Sequence, residues 1–242
     1  MIPFLGPADP FPLVESALTE PDGLLAAGGT LSARRLTDAY RRGIFPWFNE
    51  GDPILWWSPD PRTVLRPSLV HVSHSLRKRL KKRAFAVTVD AAFEQVLDGC
   101  AGPRAGEAGT WLSPAMRRAY TTLHRSGLGH SVEVWMDGEL AGGLYGVALG
   151  RMFFGESMFT RRTDASKIAI VQLCAQLVRW DMPLIDCQLE TDHLVSLGAE
   201  CLPRPRFIAE LERLVAASAP SWTLDADLAG DPDHAPRRLP AS

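Results

Sequence analysis

Asp186 and Gln188 stand two residues apart in Leu184 to Gln188, a short segment that is otherwise largely apolar. Side chains alternate along a strand, so an extended segment here places both polar groups on one face and Cys187 on the other. A carboxylate beside an amide can hold an amine through hydrogen bonds, and the opposite direction of the thiol weakens a cysteine-nucleophile interpretation. The spacing predicts either a pair that orients a reacting amine or the solvated face of a strand.

Glu156 is the second candidate, because it follows Gly155 directly after the apolar segment Met152 to Phe154. We expect a strand over that segment and a turn after it. The free backbone N–H groups of such a turn could bind an oxyanion while the carboxylate orients an amine. The alternative is an ordinary turn with a solvated Glu.

Tryptophans and one basic run form a third pattern. Trp47 and Trp111 lie in the segments IFPWF and GTW, and six of the seven residues from Arg77 to Arg83 are basic. Tryptophans usually belong to cores, and a basic run is usually a solvated face. Together they fit a surface that stacks unpaired bases and neutralises phosphates.

Composition excludes several other classes of protein. With 26 basic and 28 acidic residues among 242, the chain has a net charge of -2, so any nucleic-acid contact must be local. The four cysteines form no CxxC pair and the histidines no HxH or HExxH spacing, so we expect no metal. Ser157 and Ser166 do not lie in a GxSxG motif, which argues against a serine hydrolase. Without a leader-like segment or a long apolar run, we expect a soluble cytoplasmic protein.

Elements that position these residues are predicted from capping and periodicity. Residues 1 to 62 are rich in Pro, Gly and Trp and contain a helix that begins after Ser32 and ends near Gly43. A strand over residues 85 to 89 leads to a helix capped by Asp90, and Ser113 begins another helix.

Alternation of apolar and polar residues begins at His130 and predicts an antiparallel three-stranded meander with a turn at Asp137-Gly138. A helix from near Ser166, the strand at 184–188, a short helix capped by Thr191 or Asp192 and a last helix around Phe207 to Leu214 follow. The Pro-, Asp- and Ala-rich composition after residue 219 predicts disorder.

The motifs together resemble the leucyl/phenylalanyl-tRNA–protein transferases. The matching strings are EPDGLLAAGGTLS, AYRRGIFPWF, DPILWWSPDPR, GTW, HSVEVW, GGLYGVALGRMFFGESMF, DASK, IDCQ and DHLVSLGA. This chain departs from the family pattern at Thr30, which is usually Asp, and at Leu189-Glu190-Thr191, where some members have an Asn before the Asp-His pair.

The resemblance implies an α/β (α+β) fold in three parts. Residues 1–62 would be a small N-terminal lobe, residues 63–218 a domain with the fold of the GCN5-related acetyltransferases, and residues 219–242 a disordered tail. The meander, helix, strand and helix predicted from the residues alone agree with that topology. One chain would hold a whole site, which favours a monomer.

The activity implied by the resemblance is transfer of Leu or Phe, and less readily Met, from Leu-tRNA or Phe-tRNA to proteins with an N-terminal Arg or Lys, which marks them for degradation. It needs no cofactor, because an aminoacyl ester is already activated. Four groups of residues would contribute. They are the reacting-centre residues Asp186, Gln188 and Glu156; the adenosine and substrate contacts Trp47, Trp111 and Tyr120; the apolar pocket residues Leu144, Phe153, Met158 and Ile185; and the acceptor-stem contacts Arg77, Lys78, Lys81, Lys82 and Arg83.

Two other classes of protein remain as alternatives. An acetyltransferase that uses acetyl-CoA would carry a glycine-containing RxxGxG/A loop before its central helix to bind pyrophosphate, and residues 161–166 read RRTDAS. A non-catalytic tRNA-binding module would explain the tryptophans and the basic run. It would leave the GESM and IDCQ segments without a role.

Overall fold

A computed structural model describes residues 1–102 and 112–235. The strands are β1 (Phe4–Leu5), β2 (Leu24–Gly28), β3 (Phe45–Pro46), β4 (Leu55–Trp57), β5 (Arg62–Leu65), β6 (Ala86–Val89), β7 (Gly129–Met136), β8 (Glu139–Leu149), β9 (Met152–Thr160), β10 (Leu184–Gln188) and β11 (Glu200–Leu202). The helices are α1 (Ala33–Arg41), α2 (His74–Lys82), α3 (Phe93–Ala101), α4 (Pro114–Arg125), α5 (Ala165–Arg179), α6 (Asp192–Ser196) and α7 (Arg204–Val215). None of the helices in the described ranges combines the length and the apolar character needed to cross a bilayer.

Serine and threonine caps begin the helices where the sequence predicts them. The side-chain oxygen of Ser32 accepts a hydrogen bond from the Arg35 amide at 3.2 Å, and that of Ser113 accepts one from the Met116 amide at 3.3 Å. Thr191, rather than Asp192, caps α6. Such caps satisfy backbone N–H groups that have no partner within the helix.

The predicted cap at Asp90 is wrong. Helix α3 begins three residues later, and Asp90 takes a left-handed backbone conformation with φ of 57°. Its carboxylate instead accepts hydrogen bonds from the Ser131 amide at 2.8 Å and from the His130 ring at 2.7 Å. A long-range contact with β7 therefore replaces the expected local cap.

The N-terminal segment forms a four-stranded sheet in the order β1-β2-β4-β3. Helix α1 packs its apolar face, with Leu36 and Tyr40, into a cluster that also holds Tyr120 of α4 and Phe207 of α7. The N-terminal sheet and the larger domain therefore share one hydrophobic core. Burial of such large apolar side chains is the main favourable contribution to folding.

The larger sheet has the order β11-β5-β10-β9-β8-β7-β6. The predicted meander of β7, β8 and β9 is confirmed, and the predicted helix and strand follow as α5 and β10. Strand β10 runs parallel to β9, while the other pairings are antiparallel. The mixed α/β class is confirmed.

Strand β9 corrects the expected strand end at Phe154, because it continues to Thr160. Opposite Glu156 the register shifts, since Gly155 pairs with Gly146 while Ser157 pairs with Tyr145. Glu156 is therefore the extra residue of a β-bulge, a feature that redirects a side chain within a strand. The predicted turn does not form.

Strands β9 and β10 pair over three residues only, from Met152 opposite Leu184 to Phe154 opposite Asp186. Beyond that point β9 stays paired with β8, and β10 stays paired with β5. The sheet therefore opens between the second halves of β9 and β10. The gap lies next to the bulge at Glu156.

Residues 219 to 235 return to the larger domain, which corrects the predicted disorder for this part of the chain. The ring of Trp222 stacks on His130 with 3.8 Å between ring centroids, and Leu228 is buried. Gly230 forms an isolated bridge with Ala86 of β6. Residues 236–242 lie outside the described residues.

Salt bridges explain why the composition of this segment was misleading. Arg179 of α5 contacts the carboxylates of Asp225 at 2.6 Å and Asp227 at 2.7 Å, and Gln176 accepts a hydrogen bond from the Asp225 amide at 2.7 Å. The acidic residues that predicted disorder are thus anchors for α5. Three apolar residues of the segment, Trp222, Leu224 and Leu228, add hydrophobic contacts to these anchors.

We predict that Trp222→Ala lowers the free energy of unfolding by about 2 kcal/mol, because it removes aromatic packing against His130, Phe153 and Trp180. Urea unfolding measures the change. Limited proteolysis should also begin to cleave after residue 218 in this variant. The exposed Ser221→Ala is the control, and equal protease sensitivity of Trp222→Ala and wild type would contradict the docked position.

Candidate active site

The gap between β9 and β10 holds a cavity of about 500 Å³. The apolar residues predicted for a side-chain pocket all line it, together with one residue of α5 that sequence reasoning missed. They are Leu144, Phe153, Met158, Ile185 and Ile170. Polar groups line it as well, namely Glu156, Gln188, Thr191 and His193. The cavity can therefore enclose an apolar group and present polar groups to the atoms attached to it.

Glu156 is held by two tyrosines from different parts of the chain. Tyr40 of α1 donates a hydrogen bond to its carboxylate at 2.7 Å, and Tyr120 of α4 donates one at 2.5 Å. The two phenol oxygens lie 2.9 Å apart. Tyr120 was a predicted substrate contact, but its hydroxyl is directed to Glu156.

Burial raises the pKa of Glu156 to about 7. The hydrogen bonds from Tyr120 and Tyr40 oppose this shift, since they stabilise the carboxylate. The negative charge of Asp186 raises the pKa further, and the positive charge of Arg62 lowers it. Glu156 therefore changes its protonation state near neutral pH.

Asp186 lies in a buried ion pair with Arg62. Both carboxylate oxygens accept hydrogen bonds from the guanidinium, each at 2.7 Å, and the two side chains are 0% and 1% exposed. Arg62 also donates to the Gly43 carbonyl at 3.1 Å and lies between the rings of Phe45 and Phe207. The Asp186 side chain is not part of the cavity wall among the described residues.

Gln188 and Cys187 do not alternate as predicted. Gln188 has a left-handed φ of 59°, and the register of β10 with β5 shifts between Asp186 and Gln188. Both Cys187 and Gln188 therefore line the cavity. The backbone N–H of Gln188 donates a hydrogen bond to the Asp186 carboxylate at 3.0 Å, which fixes this backbone turn.

The Cys187 thiol is unsuited to act as a nucleophile even though it lines the cavity. Burial raises its pKa, and the neighbouring charge of Asp186 raises it further. A thiol with a raised pKa stays protonated at neutral pH, and the thiolate is the nucleophilic form. The raised pKa, rather than the predicted position on the opposite face of the strand, is therefore what argues against Cys187 as a nucleophile.

Arg62 and Tyr40 are site residues that sequence reasoning missed. Arg62 ends the string SPDPR, and a buried carboxylate favours a cationic partner, but the sequence does not indicate which residue supplies it. Tyr40 lies on the buried face of α1, where its position in the sequence resembles that of a core residue. Only the folded chain brings it to Glu156.

Trp47 lines the cavity and is 44% exposed. The Trp57 indole donates to the Trp47 carbonyl at 2.7 Å, and the two rings lie 5.7 Å apart. A fixed and partly exposed indole beside a cavity is a surface on which a base can stack. Trp111, the other predicted stacking residue, lies outside the described residues.

The basic run forms α2 and projects its charges into solvent. Arg79 contacts Asp164 at 3.0 Å. Arg83 ends the helix and donates to the backbone carbonyls of Asp227 at 2.9 Å and Gly230 at 3.2 Å, so it anchors the C-terminal segment. The exposed charges of Arg77, Lys78, Lys81 and Lys82 are the ones that fit contact with an external anion.

The candidate site thus lies in a mixed α/β domain, in a cavity that forms where a short parallel strand pair separates beside a three-stranded meander. The family model for leucyl/phenylalanyl-tRNA protein transferase matches residues 64–212, and the model for its N-terminal domain matches residues 29–60. The chain belongs to the leucyl/phenylalanyl-tRNA–protein transferase family and is a transferase.

Curated relatives agree with this assignment. A leucyl/phenylalanyl-tRNA–protein transferase of Nitrosomonas europaea is 59% identical over 86% of this chain and 88% of its own length. One of Aromatoleum aromaticum is 59% identical over 87% of this chain and 89% of its own. A solved GCN5-related N-acetyltransferase from Kribbella flavida is 13% identical over 67% of this chain and 57% of its own, with a TM-score of 0.35, too low to support an argument.

We predict that Arg62→Met and Asp186→Leu each lower the free energy of unfolding by about 3 to 5 kcal/mol, because each leaves a buried charge without its partner. The double variant should lose less than the sum of the two, since it removes both charges. Urea unfolding of the four proteins measures the coupling.

Arg66→Ala is the matched control. Arg66 directly follows β5 and contacts Glu200 at 2.6 Å and Glu210 at 3.2 Å, but it is 25% exposed. Its loss should cost about 1 kcal/mol or less. Strictly additive losses for Arg62→Met and Asp186→Leu would show that the buried pair is not a single unit.

Proposed function

We propose that the protein transfers Leu or Phe, and less readily Met, from aminoacyl-tRNA to the N-terminal Arg or Lys of acceptor proteins. The observation that carries this proposal is the cavity, which has an apolar wall next to Glu156 and Gln188. An amino-acid side chain enters the apolar part, and its ester carbonyl meets the polar edge. The family to which the chain belongs supports the same reaction. A cytoplasmic location and a role in protein degradation belong to the same proposal.

Aminolysis of an aminoacyl ester makes modest demands on the enzyme. The attacking α-amine has an ordinary pKa of about 7.7 to 8.0, so a substantial fraction is neutral near pH 7.5. The enzyme must orient that amine and stabilise the tetrahedral oxyanion. The side-chain carbonyl oxygen of Gln188 can accept a hydrogen bond from the amine. Asp186, fixed by Arg62, holds the backbone of Gln188 in place.

Selection of the amino acid follows from the shape of the cavity. Met158 is flexible and Phe153 is rigid, so together they can surround Leu, Met or Phe. A β-branched side chain such as Ile places a methyl group near the backbone at the entrance. A methyl-sized misfit discriminates by about 10- to 200-fold, and a charged side chain is rejected more strongly through desolvation.

The tRNA would be bound at two places. Trp47, with Trp111, stacks on the terminal adenosine, and the exposed charges of α2 meet the phosphates of the acceptor stem. Burial lowers the pKa of His193 on the cavity wall, and the positive charge of Lys167 in α5 lowers it further. Asp164, the residue before α5, contacts Arg79 of α2 at 3.0 Å. The start of α5 is therefore next to the basic helix and electrostatically coupled to the cavity wall.

The test is transfer of radiolabelled Phe or Leu from charged tRNA to a peptide that begins with Arg, followed by peptide mass. We expect Arg- and Lys-peptides to be labelled and a matched Gly-peptide to remain unlabelled. Met158→Trp should reduce Phe transfer more than Leu transfer, because the larger indole fills the space that a phenyl ring needs.

Val178→Trp is the control for Met158→Trp, since Val178 is exposed on α5 and 49% accessible. It should leave the Leu:Phe ratio unchanged. No labelled Arg-peptide with wild-type protein would refute the proposed reaction. An unchanged ratio in Met158→Trp would refute the assignment of Met158 to the pocket.

We predict that Lys81→Ala with Lys82→Ala flattens the salt dependence of tRNA binding. Each lost phosphate contact lowers the slope of log K against log salt by about 0.7 to 0.9. Filter binding from 50 to 300 mM KCl, a range of about sixfold, measures the slope. Arg206→Ala with Arg213→Ala on α7 removes the same charge elsewhere and should leave it unchanged. Equal slopes in both double variants would mean that α2 is only a solvated face.

A further inference from the structure

Aminolysis requires one proton to move, and this inference about its carrier rests on the proposed function. The acceptor nitrogen bonds to the ester carbonyl carbon, and the bond from that carbon to the ribose oxygen breaks. The nitrogen must lose a proton, and the ribose oxygen must gain one. A group that accepts the first proton and returns it to the ribose leaves the overall reaction balanced.

Few groups on the described cavity wall can carry that proton. Gln188 is an amide, and the Cys187 thiol stays protonated because burial raises its pKa. Asp186 is paired with the Arg62 guanidinium behind the wall, and its side chain is not among the described residues that line the cavity. Tyr145 also lies on the wall, but a phenol ordinarily keeps its proton near neutral pH, so Glu156 and His193 are the described groups suited to accept one.

Glu156 is the better placed of the two. It is the extra residue of the bulge in β9, between Phe153 and Met158 of the apolar wall, and two phenols hold its carboxylate. His193 lies on the five-residue helix α6. Burial and the charge of Lys167 lower the pKa of His193. A base acts best when its geometry is fixed before the reaction begins.

We propose that Glu156 is the proton carrier of the transfer reaction, and that Tyr40 and Tyr120 are positioning residues that hold its carboxylate for this role. The amine proton passes to the carboxylate as the carbon–nitrogen bond forms. The same proton passes to the ribose oxygen as the ester bond breaks. The N-terminal segment thus supplies part of the reacting centre through Tyr40.

Groups from five other elements lie around Glu156 and its partners, and four of these groups shift its pKa. Tyr40 of α1 and Tyr120 of α4 donate to it, Tyr145 of β8 lies beside Tyr120, and the pair of Asp186 in β10 and Arg62 in β5 adds opposed charges. The pKa of about 7 makes the carboxylate an efficient carrier near neutral pH. Below that pH Glu156 is protonated and cannot accept a proton, so the rate falls.

The experiment is a pH profile of the single-turnover second-order rate constant for an Arg-peptide, with the Phe-tRNA bound to excess enzyme. In wild type, two groups must lose a proton, the peptide amine with a pKa of about 7.7 to 8.0 and Glu156. The acid limb should therefore steepen to a slope of two. Glu156→Gln should lower the rate at pH 8 by about 10²-fold or more and leave a slope of one.

Conservative variants separate positioning from packing. Tyr120→Phe and Tyr40→Phe each remove a hydrogen-bond donor that stabilises the Glu156 carboxylate, so the pKa of Glu156 should rise. The acid limb should therefore move to higher pH, while the Kd for Phe-tRNA stays unchanged. Thr122→Val is the control, because it removes an exposed hydroxyl from the same helix as Tyr120, one that donates to the Arg118 carbonyl at 2.8 Å, and it should not move that limb. His193→Gln should keep the slope of two.

A titration without turnover guards against misfolded variants. Carbon-13 labelling of Glu carboxyls should show one resonance that titrates near pH 7 in wild type and is missing from Glu156→Gln. Two results would overturn the proposal, provided that the wild-type protein transfers Phe. One is an undiminished rate in Glu156→Gln, and the other is an acid limb whose slope falls to one in His193→Gln only. Absence of transfer by wild type would instead refute the proposed function.

Discussion

The buried pair of Arg62 and Asp186 is the interaction on which the site depends. The two residues are 124 positions apart in the sequence, and their contact joins strands β5 and β10. Arg62 also donates a hydrogen bond to the Gly43 carbonyl, which links the pair to the N-terminal segment. Two charges in a dry interior are costly unless their hydrogen bonds are satisfied. Here the Asp186 carboxylate accepts hydrogen bonds from the guanidinium and from the backbone N–H of Gln188. The pair therefore fixes the end of β10 at the edge of the cavity.

Opposite this fixed strand, β9 carries an irregularity that serves the same cavity. The bulge brings the Glu156 carboxylate to the phenols of Tyr40 and Tyr120, although its neighbours Phe153 and Met158 line an apolar wall. Because Tyr40 belongs to α1, the N-terminal segment and the larger domain meet at a polar contact as well as in their shared core. The two parts of the chain thus build one site.

Local patterns in the sequence predicted much of this fold. Caps at Ser32 and Ser113 and the alternation from His130 depend on neighbouring residues, and these predictions are confirmed. The bulge at Glu156 and the left-handed Gln188 depend on contacts with other strands, so simple alternation placed Cys187 on the wrong face. The pocket residues were available only through the family resemblance, and the partners of Asp186 and Glu156 only through the fold.

The bridge between Gly230 and Ala86 has a consequence for the assembly of the chain. Strand β6 ends the larger sheet, and an uncovered terminal strand presents unpaired N–H and C=O groups to other molecules. The C-terminal segment shields part of that edge, through the Asp231 amide bound to the Phe85 carbonyl at 2.7 Å and the Val87 amide bound to the Ala229 carbonyl at 2.7 Å. During synthesis this edge stays open until residues 229–231 have left the ribosome. Once these residues have docked, they protect that part of the edge against edge-to-edge aggregation.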